Sequence, residues 1–143
     1  MRTINMLRAE VELTVPFHDI DLLNIAWHGH YCKYIEIARC AMLDKIGYGY
    51  MTMKETGYVW PIVDLQLRYV RPAQFEQRIR VSAELVEWEY RMKIKYLVAD
   101  AETGEVLAKG HTIQAAVDAV SREMCFASPA VFLEKLGIKI DSP

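Results

Sequence analysis

After residue 60 the chain consists mainly of long segments in which apolar and polar residues alternate. In RIRVSAELVEW every second residue from Ile79 to Leu85 is apolar, as in a strand that buries one face. Arg71-Pro72 interrupts the alternation, and Glu102-Thr103-Gly104 has the composition of a hairpin turn. The pattern predicts strands at Trp60–Val70, Gln77–Trp88, Arg91–Asp100 and Val106–Asp118. Because these strands follow one another through short connections, we expect an antiparallel meander.

One long helix is predicted before these strands. From about Gly29 to Ile46, apolar residues recur at intervals of three and four, and Gly47 is a typical residue to end a helix. Further apolar residues on the flanks of this face widen the surface that can be buried. We therefore expect other parts of the structure to cover the helix on most sides. Tyr48–Gly57 then predicts a short helical turn and a connection.

Two elements near the ends of the chain complete the predicted fold. Glu10–Val15 alternates like a strand and ends at Pro16, and Ser128-Pro129 is typical of the N-cap and first residue of a short helix through Leu136. The prediction is an α+β architecture in which a five-stranded antiparallel sheet wraps around one central helix. One helix cannot cover both faces and both edges of such a sheet. We therefore expect a homodimer, which can pair further into a tetramer through the outer sheet face.

Length and composition limit the functions to be considered. The chain has 143 residues, enough for a single domain spanning 1–143, and its 52% hydrophobic and 25% charged residues are ordinary for a globular protein. A formal net charge of -2 gives no basic surface of the kind that binds nucleic acid. No segment has the roughly 18 apolar residues of a membrane span. Three cysteines without a CxxC pair, and an N-terminus without a signal-peptide core, predict a cytoplasmic location.

Polar residues are concentrated immediately before the long helix, in the segment FHDIDLLNIAWHGH. Three of the four histidines and two aspartates, Asp19 and Asp21, fall within it. Aspartates are common in loops and helix caps, so a structural role for each stays open. A carboxylate is also suited to acyl transfer, where it acts as nucleophile or as general base for a water molecule.

His28 is predicted to lie at the start of the helix, seven residues after Asp21. Backbone N–H groups at a helix start lack intrahelical acceptors and carry partial positive charge, so they can stabilise a developing oxyanion. His28 and His30 could instead hold a metal ion together with an aspartate. At a helix start, however, side chains two residues apart diverge by about 200°, and no fourth ligand follows nearby in the sequence. A structural histidine is the third alternative.

The segment VPFHDIDLLNIAWHGHYCKYIEIAR resembles the signature of the 4-hydroxybenzoyl-CoA thioesterase-like branch of the hotdog-fold thioesterases. The matching positions are Phe17, Asp19, Asp21, His28, Tyr31, Glu36, Ala38 and Arg39. LRYVRPAQFEQRIRV and GEVLAKGHTIQAAVD resemble later elements of the family, so the likeness covers nearly the whole chain. One departure is the bulky segment Leu22–Ile25, which stands where many relatives have a glycine-rich loop.

The resemblance implies a hotdog fold and hydrolysis of an acyl thioester, carried by coenzyme A or by an acyl carrier protein, to a free acid and a thiol. It implies Asp21 as nucleophile or general base, and His28 with the helix N-terminus as the site for the carbonyl oxygen. Asp19 would hold the loop. Tyr31 and Arg91 are expected to bind substrate, Arg91 through the phosphates of coenzyme A. No cofactor is implied, and the sequence contains neither GxGxxG nor a P-loop motif.

Two other functions stay open, because hotdog folds host several activities. A dehydratase acting on a 3-hydroxyacyl thioester would need a histidine base paired with an acid from the partner subunit's helix, a place for which this chain offers Glu36. Glu36 and Arg39, three residues apart, are more simply expected to form a structural ion pair. A non-catalytic domain that binds acyl thioesters is the second alternative.

Overall fold

The computed structural model describes residues 7–138. In this part of the chain a five-stranded antiparallel sheet packs against one long helix, as predicted. The elements in chain order are β1 (Arg8–Thr14), α1 (Tyr31–Asp44), α2 (Tyr50–Glu55), β2 (Tyr58–Val59), β3 (Ile62–Tyr69), β4 (Arg78–Glu87), β5 (Met92–Asp100), β6 (Val106–Gln114), β7 (Val117–Asp118) and α3 (Ala130–Lys135). The short strands β2 and β7 pair with each other. No helix within residues 7–138 is both long and apolar enough to cross a membrane.

The strand order in the sheet is β1-β4-β5-β6-β3, so the predicted four-stranded meander is wrong. Only β4, β5 and β6 form a meander, whereas β3 pairs with β6 at one edge and β1 pairs with β4 at the other. Gly110 permits the pairing of β3 with β6, because a Cβ atom there would lie 1.9 Å from the carbonyl oxygen of Gln66. The N–H groups of Val70 and Arg71 both donate to the carbonyl of Leu107 (2.8 and 3.0 Å). The residues after β3 therefore remain hydrogen-bonded beside β6, and the chain then crosses the end of the sheet to begin β4.

The helix α1 covers the inner face of the sheet and packs against β1 and β4. The helix predicted over Gly29–Ile46 is confirmed, although residues 28–30 form a 3-10 turn and α1 ends at Asp44. The buried residues of α1 are Tyr31, Tyr34, Ile35, Ala38, Arg39, Met42 and Leu43. They meet alternate residues of β4 and β5, which are buried from Ile79 to Leu85 and from Met92 to Val98. Each large apolar side chain among them contributes about 1.5–3 kcal/mol by leaving water.

The helix α3 closes one end of this core, where Phe132 packs edge-on against Trp60 with ring centroids 5.0 Å apart. A short C-terminal helix was predicted and is confirmed, but its predicted cap is wrong. The Ser128 hydroxyl donates to the carbonyl of Trp88, and Pro129 takes the N-cap position. Ser128 therefore joins α3 to the end of β4 instead of capping the helix.

Two predicted strands are shorter in the structure. The strand predicted at Trp60–Val70 begins only at Ile62, and the one predicted at Val106–Asp118 divides into β6 and β7. Pro61 has no N–H to donate, so the ladder of hydrogen bonds cannot continue through it. Instead the side-chain amide of Gln114 donates to the carbonyl of Trp60 (2.7 Å). This contact holds the two segments together where regular pairing stops.

Candidate active site

The loop between β1 and α1 carries both aspartates and is attached to the connection between β3 and β4. The N–H of Ala26 donates to the carbonyl of Ala73 (2.7 Å). Within the loop, the N–H of Asp21 donates to the carbonyl of Ile25 (2.9 Å), which closes a tight turn. Asn24 in this turn has a φ of 65°, a conformation that asparagine adopts more readily than most residues. The backbone that presents the two carboxylates is thus held on both sides.

Asp19 is buried, with 1% of its surface exposed, and both of its carboxylate oxygens accept hydrogen bonds. Lys33 Nζ lies 2.6 and 2.8 Å from its two oxygens, and the Tyr34 hydroxyl donates to Oδ2 (2.7 Å). Burial raises the pKa of Asp19, but the hydrogen bonds from Lys33 and Tyr34 outweigh it, so the net pKa lies below its usual value. Burial and the adjacent Asp19 carboxylate raise the pKa of Tyr34. These contacts tie the loop to the first turn of α1, the structural role predicted for Asp19.

Asp21 lies only two residues further along and has a different environment. It is half-buried, and Oδ1 accepts a hydrogen bond from the N–H of Leu23 (2.8 Å). Its other carboxylate oxygen has no hydrogen-bond donor within residues 7–138. The carboxylate borders a pocket of about 300 Å³ whose lining includes Ile25, His28, Tyr31, Tyr69 and Pro72. The structure therefore brings together three of the four predicted site residues, namely Asp21, His28 and Tyr31.

His28 is exposed and begins the 3-10 turn that leads into α1. Its ring lies beside that of Trp27, with centroids 5.0 Å apart, and its carbonyl accepts a hydrogen bond from the N–H of Tyr31. The N–H groups of His28 and Gly29 have no acceptor among the residues that the structure describes. Such free donors are expected in the first turn of a helix. They can therefore donate to an oxygen atom of a bound molecule.

The two predicted substrate-binding residues have different positions. Tyr31 is 2% exposed, and its hydroxyl accepts a hydrogen bond from the N–H of Ala73 (3.1 Å), so the ring borders the pocket while the hydroxyl holds the β3–β4 connection. Arg91 lies in the turn after β4 and forms an ion pair with Glu87 (3.1 Å). β4 has ten residues and begins at the end of the sheet where Tyr69 of β3 lies. The two ends of this strand are therefore separated by about 30 Å, and Arg91 is remote from Asp21 within one chain.

Tyr69 borders the pocket but was not predicted from the sequence as a site residue, because aromatic residues in strands more often belong to the core. It is the last residue of β3, and 46% of its surface is exposed. Its hydroxyl donates to the carbonyl of His28 (2.9 Å). The alternation of apolar and polar residues in β3 could have indicated that Tyr69 lies on the inner face of the sheet, at the end of a strand. The sequence did not reveal that α1 leaves this end uncovered.

The two residues of the predicted ion pair, Glu36 and Arg39, lie further along α1. Arg39 is buried and its guanidinium donates to the hydroxyl of Tyr50 (2.7 Å), whereas Glu36 lies 3.7 Å away and is exposed. Glu36 does not border the pocket that contains Asp21 and His28. Within residues 7–138 no three or more His, Cys, Asp or Glu side chains converge in a way that could hold a metal ion.

Comparison with known proteins connects this geometry to a family. Residues 15–136 match the thioesterase-like superfamily. A Synechocystis protein provisionally named an esterase is 28% identical over 128 residues, which are 89% of this chain and 77% of that protein. A 1,4-dihydroxy-2-naphthoyl-CoA thioesterase from Synechocystis has the same fold, with a TM-score of 0.81 and 17% identity over 95% of this chain and 99% of that one. A 4-hydroxybenzoyl-CoA thioesterase was solved as an aspartate-to-asparagine mutant with 4-hydroxybenzoyl-CoA. It is 18% identical to this chain, with a TM-score of 0.78, and the match covers 91% of this chain and 99% of that one.

The two kinds of similarity carry different information. At 17% and 18% identity the solved structures show the fold alone, which is the hotdog arrangement of a sheet around one helix. The family match covers most of the chain and includes the loop with Asp21 and His28. The chain therefore belongs to the thioesterase-like superfamily, and the prediction that it is a thioester hydrolase with the hotdog fold is confirmed at the level of that family.

Proposed function

We propose that this protein hydrolyses an acyl thioester of coenzyme A or of an acyl carrier protein, with Asp21 as nucleophile or general base. The observation that carries the proposal is the carboxylate of Asp21, which has one oxygen without a donor and borders the same pocket as His28. Asp19 offers the contrast, because both of its oxygens are already occupied by donors.

The chemistry requires a group that attacks the thioester carbon and a group that stabilises the oxyanion. As general base, Asp21 takes a proton from a water molecule whose oxygen attacks the carbonyl carbon; the C–S bond then breaks and the thiolate leaves with a proton. As nucleophile, Asp21 attacks directly, and water hydrolyses the resulting anhydride. In both routes the N–H groups of His28 and Gly29 are suited to donate to the carbonyl oxygen, and each such donor is worth about 100-fold or more in rate.

Two of the similar solved structures suggest which acyl groups to test. The Synechocystis protein is named a thioesterase for 1,4-dihydroxy-2-naphthoyl-CoA, and the other protein was solved with 4-hydroxybenzoyl-CoA. Both compounds are coenzyme A thioesters of aromatic acids. Since the identity of the two proteins to this chain is low, these compounds are starting points for a substrate panel. The bulky residues Leu22 and Leu23 follow Asp21 and are both exposed, so the panel should include short, long and aromatic acyl groups.

We also propose that the active form is a homodimer in which the β3 strands of two copies pair. Among the described residues β3 pairs only with β6, so its outer edge is open. Its apolar residues remain exposed, with 54% of the surface of Val63 and 39% of that of Leu65 accessible. β3 has eight residues, five of them apolar, and a long edge strand of this kind favours pairing with another strand. A twofold axis perpendicular to the sheet would join two such edges in antiparallel fashion.

This assembly would give Arg91 a role that it lacks within one chain. A twofold axis of this kind reverses the ends of the sheet, so the partner's β4–β5 turn comes to the end at which Tyr69 and Asp21 lie. The partner's β4–β5 turn would lie three to four strand spacings from Tyr69, which is roughly 15–19 Å. The partner's Arg91 could then contact the phosphates of a coenzyme A whose thioester is at Asp21.

The experiment that tests the function is a panel of acyl-CoA and acyl-carrier-protein thioesters, assayed with a reagent for free thiols. We expect thiol release with at least one member, and light scattering at micromolar concentration should give the mass of a dimer or tetramer. Loss of water from a 3-hydroxyacyl thioester without thiol release would instead indicate the dehydratase. Binding without either reaction would indicate a non-catalytic domain, and a strictly monomeric mass would contradict the proposed assembly.

A further inference from the structure

The hydroxyl of Tyr69 makes a long-range hydrogen bond to the turn that leads into α1. Tyr69 belongs to the edge strand β3, yet its hydroxyl donates to the backbone carbonyl of His28, 41 residues earlier in the chain (2.9 Å). Its ring meets that of Tyr31 nearly at a right angle, with centroids 4.9 Å apart, and lies 6.1 Å from that of His28. Tyr69 also borders the pocket with Asp21. The contact therefore joins the wall of the pocket to the first turn of the helix.

The carbonyl that Tyr69 holds shares a peptide group with one of the two free donors. The C=O of His28 and the N–H of Gly29 belong to one planar trans peptide and point in opposite directions. This carbonyl accepts from the N–H of Tyr31 and from the hydroxyl of Tyr69, and the two hydrogen bonds together fix the direction of the Gly29 N–H. They also polarise the amide, because hydrogen bonds in a chain strengthen one another. The hydroxyl of Tyr69 thus acts on a donor that it does not touch.

The same peptide is restrained from a second direction. A Cβ atom on Gly29 would lie 2.2 Å from the ring of Trp27, so the indole packs directly on this glycine. Trp27 and Tyr69 therefore restrain the peptide between His28 and Gly29 from separate contacts. Such restraint is not needed to bury the core, since Trp27 and Tyr69 are both about half exposed.

We infer that Tyr69 is a positioning residue for thioester hydrolysis: its hydroxyl, through the His28 carbonyl, orients and polarises the Gly29 N–H that donates to the thioester oxygen. The inference rests on the proposed function and adds to it a residue that the family signature in the loop does not contain. The substrate would not need to touch the hydroxyl. The effect of Tyr69 should then appear in the chemical step more than in binding.

The test compares Tyr69→Phe with Tyr50→Phe. Both variants keep the ring and lose a hydroxyl that makes a hydrogen bond, but the hydroxyl of Tyr50 contacts Arg39 and is remote from the pocket. With the acyl-CoA that the wild type hydrolyses fastest, we expect kcat of Tyr69→Phe to fall about tenfold, the effect of one weakened hydrogen bond. KM should change by less than about twofold. In the nuclear magnetic resonance spectrum of the backbone amides, the N–H resonance of Gly29 should shift in Tyr69→Phe and not in Tyr50→Phe.

Any other result would overturn either the inference about Tyr69 or the proposed function. An unchanged kcat for Tyr69→Phe, in a protein whose turnover depends on Asp21, overturns the inference and leaves the proposed function intact. An equal fall in Tyr50→Phe, or a fall without any shift of the Gly29 resonance, indicates general loosening and also overturns it. A wild type that releases thiol from no member of the panel overturns the proposed function, and the inference with it. The melting temperature and oligomer mass of Tyr69→Phe, measured alongside, should match those of the wild type.

Discussion

Asp19 and Asp21 occupy the same loop, two residues apart, and have opposite environments. Asp19 is buried and receives donors on both oxygens from Lys33 and Tyr34. Asp21 is half-buried at the edge of a pocket and receives one donor, the N–H of Leu23. A buried carboxylate with donors on both oxygens is not available to attack a carbon or to take a proton from a bound water molecule. Burial and the number of donors on the two oxygens therefore distinguish a structural carboxylate from a candidate catalytic one.

Replacing Asp21 by asparagine should have the largest effect. The amide oxygen can still accept the hydrogen bond from Leu23, but the side chain loses its charge, its basicity and its nucleophilicity. We expect kcat to fall by about 100-fold or more, as when a positioned acid–base group is removed. The melting temperature and the oligomer mass should stay near those of the wild type. Thiol release and thermal unfolding measured on the same preparation would check both parts.

A wild-type rate in Asp21→Asn would contradict the carboxylate mechanism. So would turnover that a chelator abolishes and added zinc restores, because the proposed reaction uses no metal ion. Either result would make Asp21 a loop residue like Asp19, and the comparison between them would fail.

Asp19→Asn should show the opposite pattern, with a loss of stability in place of a loss of turnover. The substitution removes one charged acceptor from a buried cluster and leaves Lys33 or Tyr34 without a full partner. We expect about 2 kcal/mol less free energy of unfolding, which is within the range for a buried charged hydrogen bond. For a chain of this length that corresponds to a fall of roughly 5–8 °C in Tm. Below the new Tm, kcat should remain within about threefold of the wild-type value if the loop keeps its shape.

The sequence was sufficient to predict the elements but not the difference between these two carboxylates. Strands and helices follow from periodicity, which local sequence records. The roles of Asp19 and Asp21 depend on what surrounds them, and Lys33 and Tyr34 come from a helix that begins twelve residues after Asp19. The resemblance to the thioesterase signature favoured Asp21, and periodicity by itself left both roles open.

Contacts between distant segments were also missed. The position of β3 beside β6 depends on the close approach of Gly110 to Gln66, 44 residues apart, and a glycine inside a strand was the only local signal. Tyr69 was not predicted as a site residue, since aromatic residues in strands more often belong to the core, and nothing in β3 indicates that α1 leaves its inner face partly uncovered. Such features follow from the arrangement of whole elements, so a short sequence window cannot specify them.

His28→Ala should have an intermediate effect on turnover, smaller than that of Asp21→Asn and larger than that of Asp19→Asn. The substitution removes the imidazole, for which we propose a role in orienting the substrate carbonyl or a water molecule, but the N–H groups of residues 28 and 29 survive. We expect kcat to fall about tenfold, less than the loss of a main oxyanion donor. Steady-state kinetics of the three variants would rank them. A fall as large as that of Asp21→Asn would assign the imidazole a direct part in proton transfer.

The smallest expected effect is a change with pH in the stability difference between the wild type and Asp19→Asn. The folded pKa of Asp19 lies below its unfolded value of about 3.9, so the stability that it contributes is fully present above that value. It is lost as the pH falls through the lower, folded pKa. The charged groups near Asp19, namely Lys33, His18 and His30, are present in both proteins, as are the other carboxylates. Thermal unfolding of both from pH 7 to pH 3 should therefore show a constant difference in Tm down to about pH 4 and a smaller one below it. A difference that grows with acid would mean that the pKa of Asp19 is raised by its burial, and that its hydrogen bonds do not compensate for the loss of water.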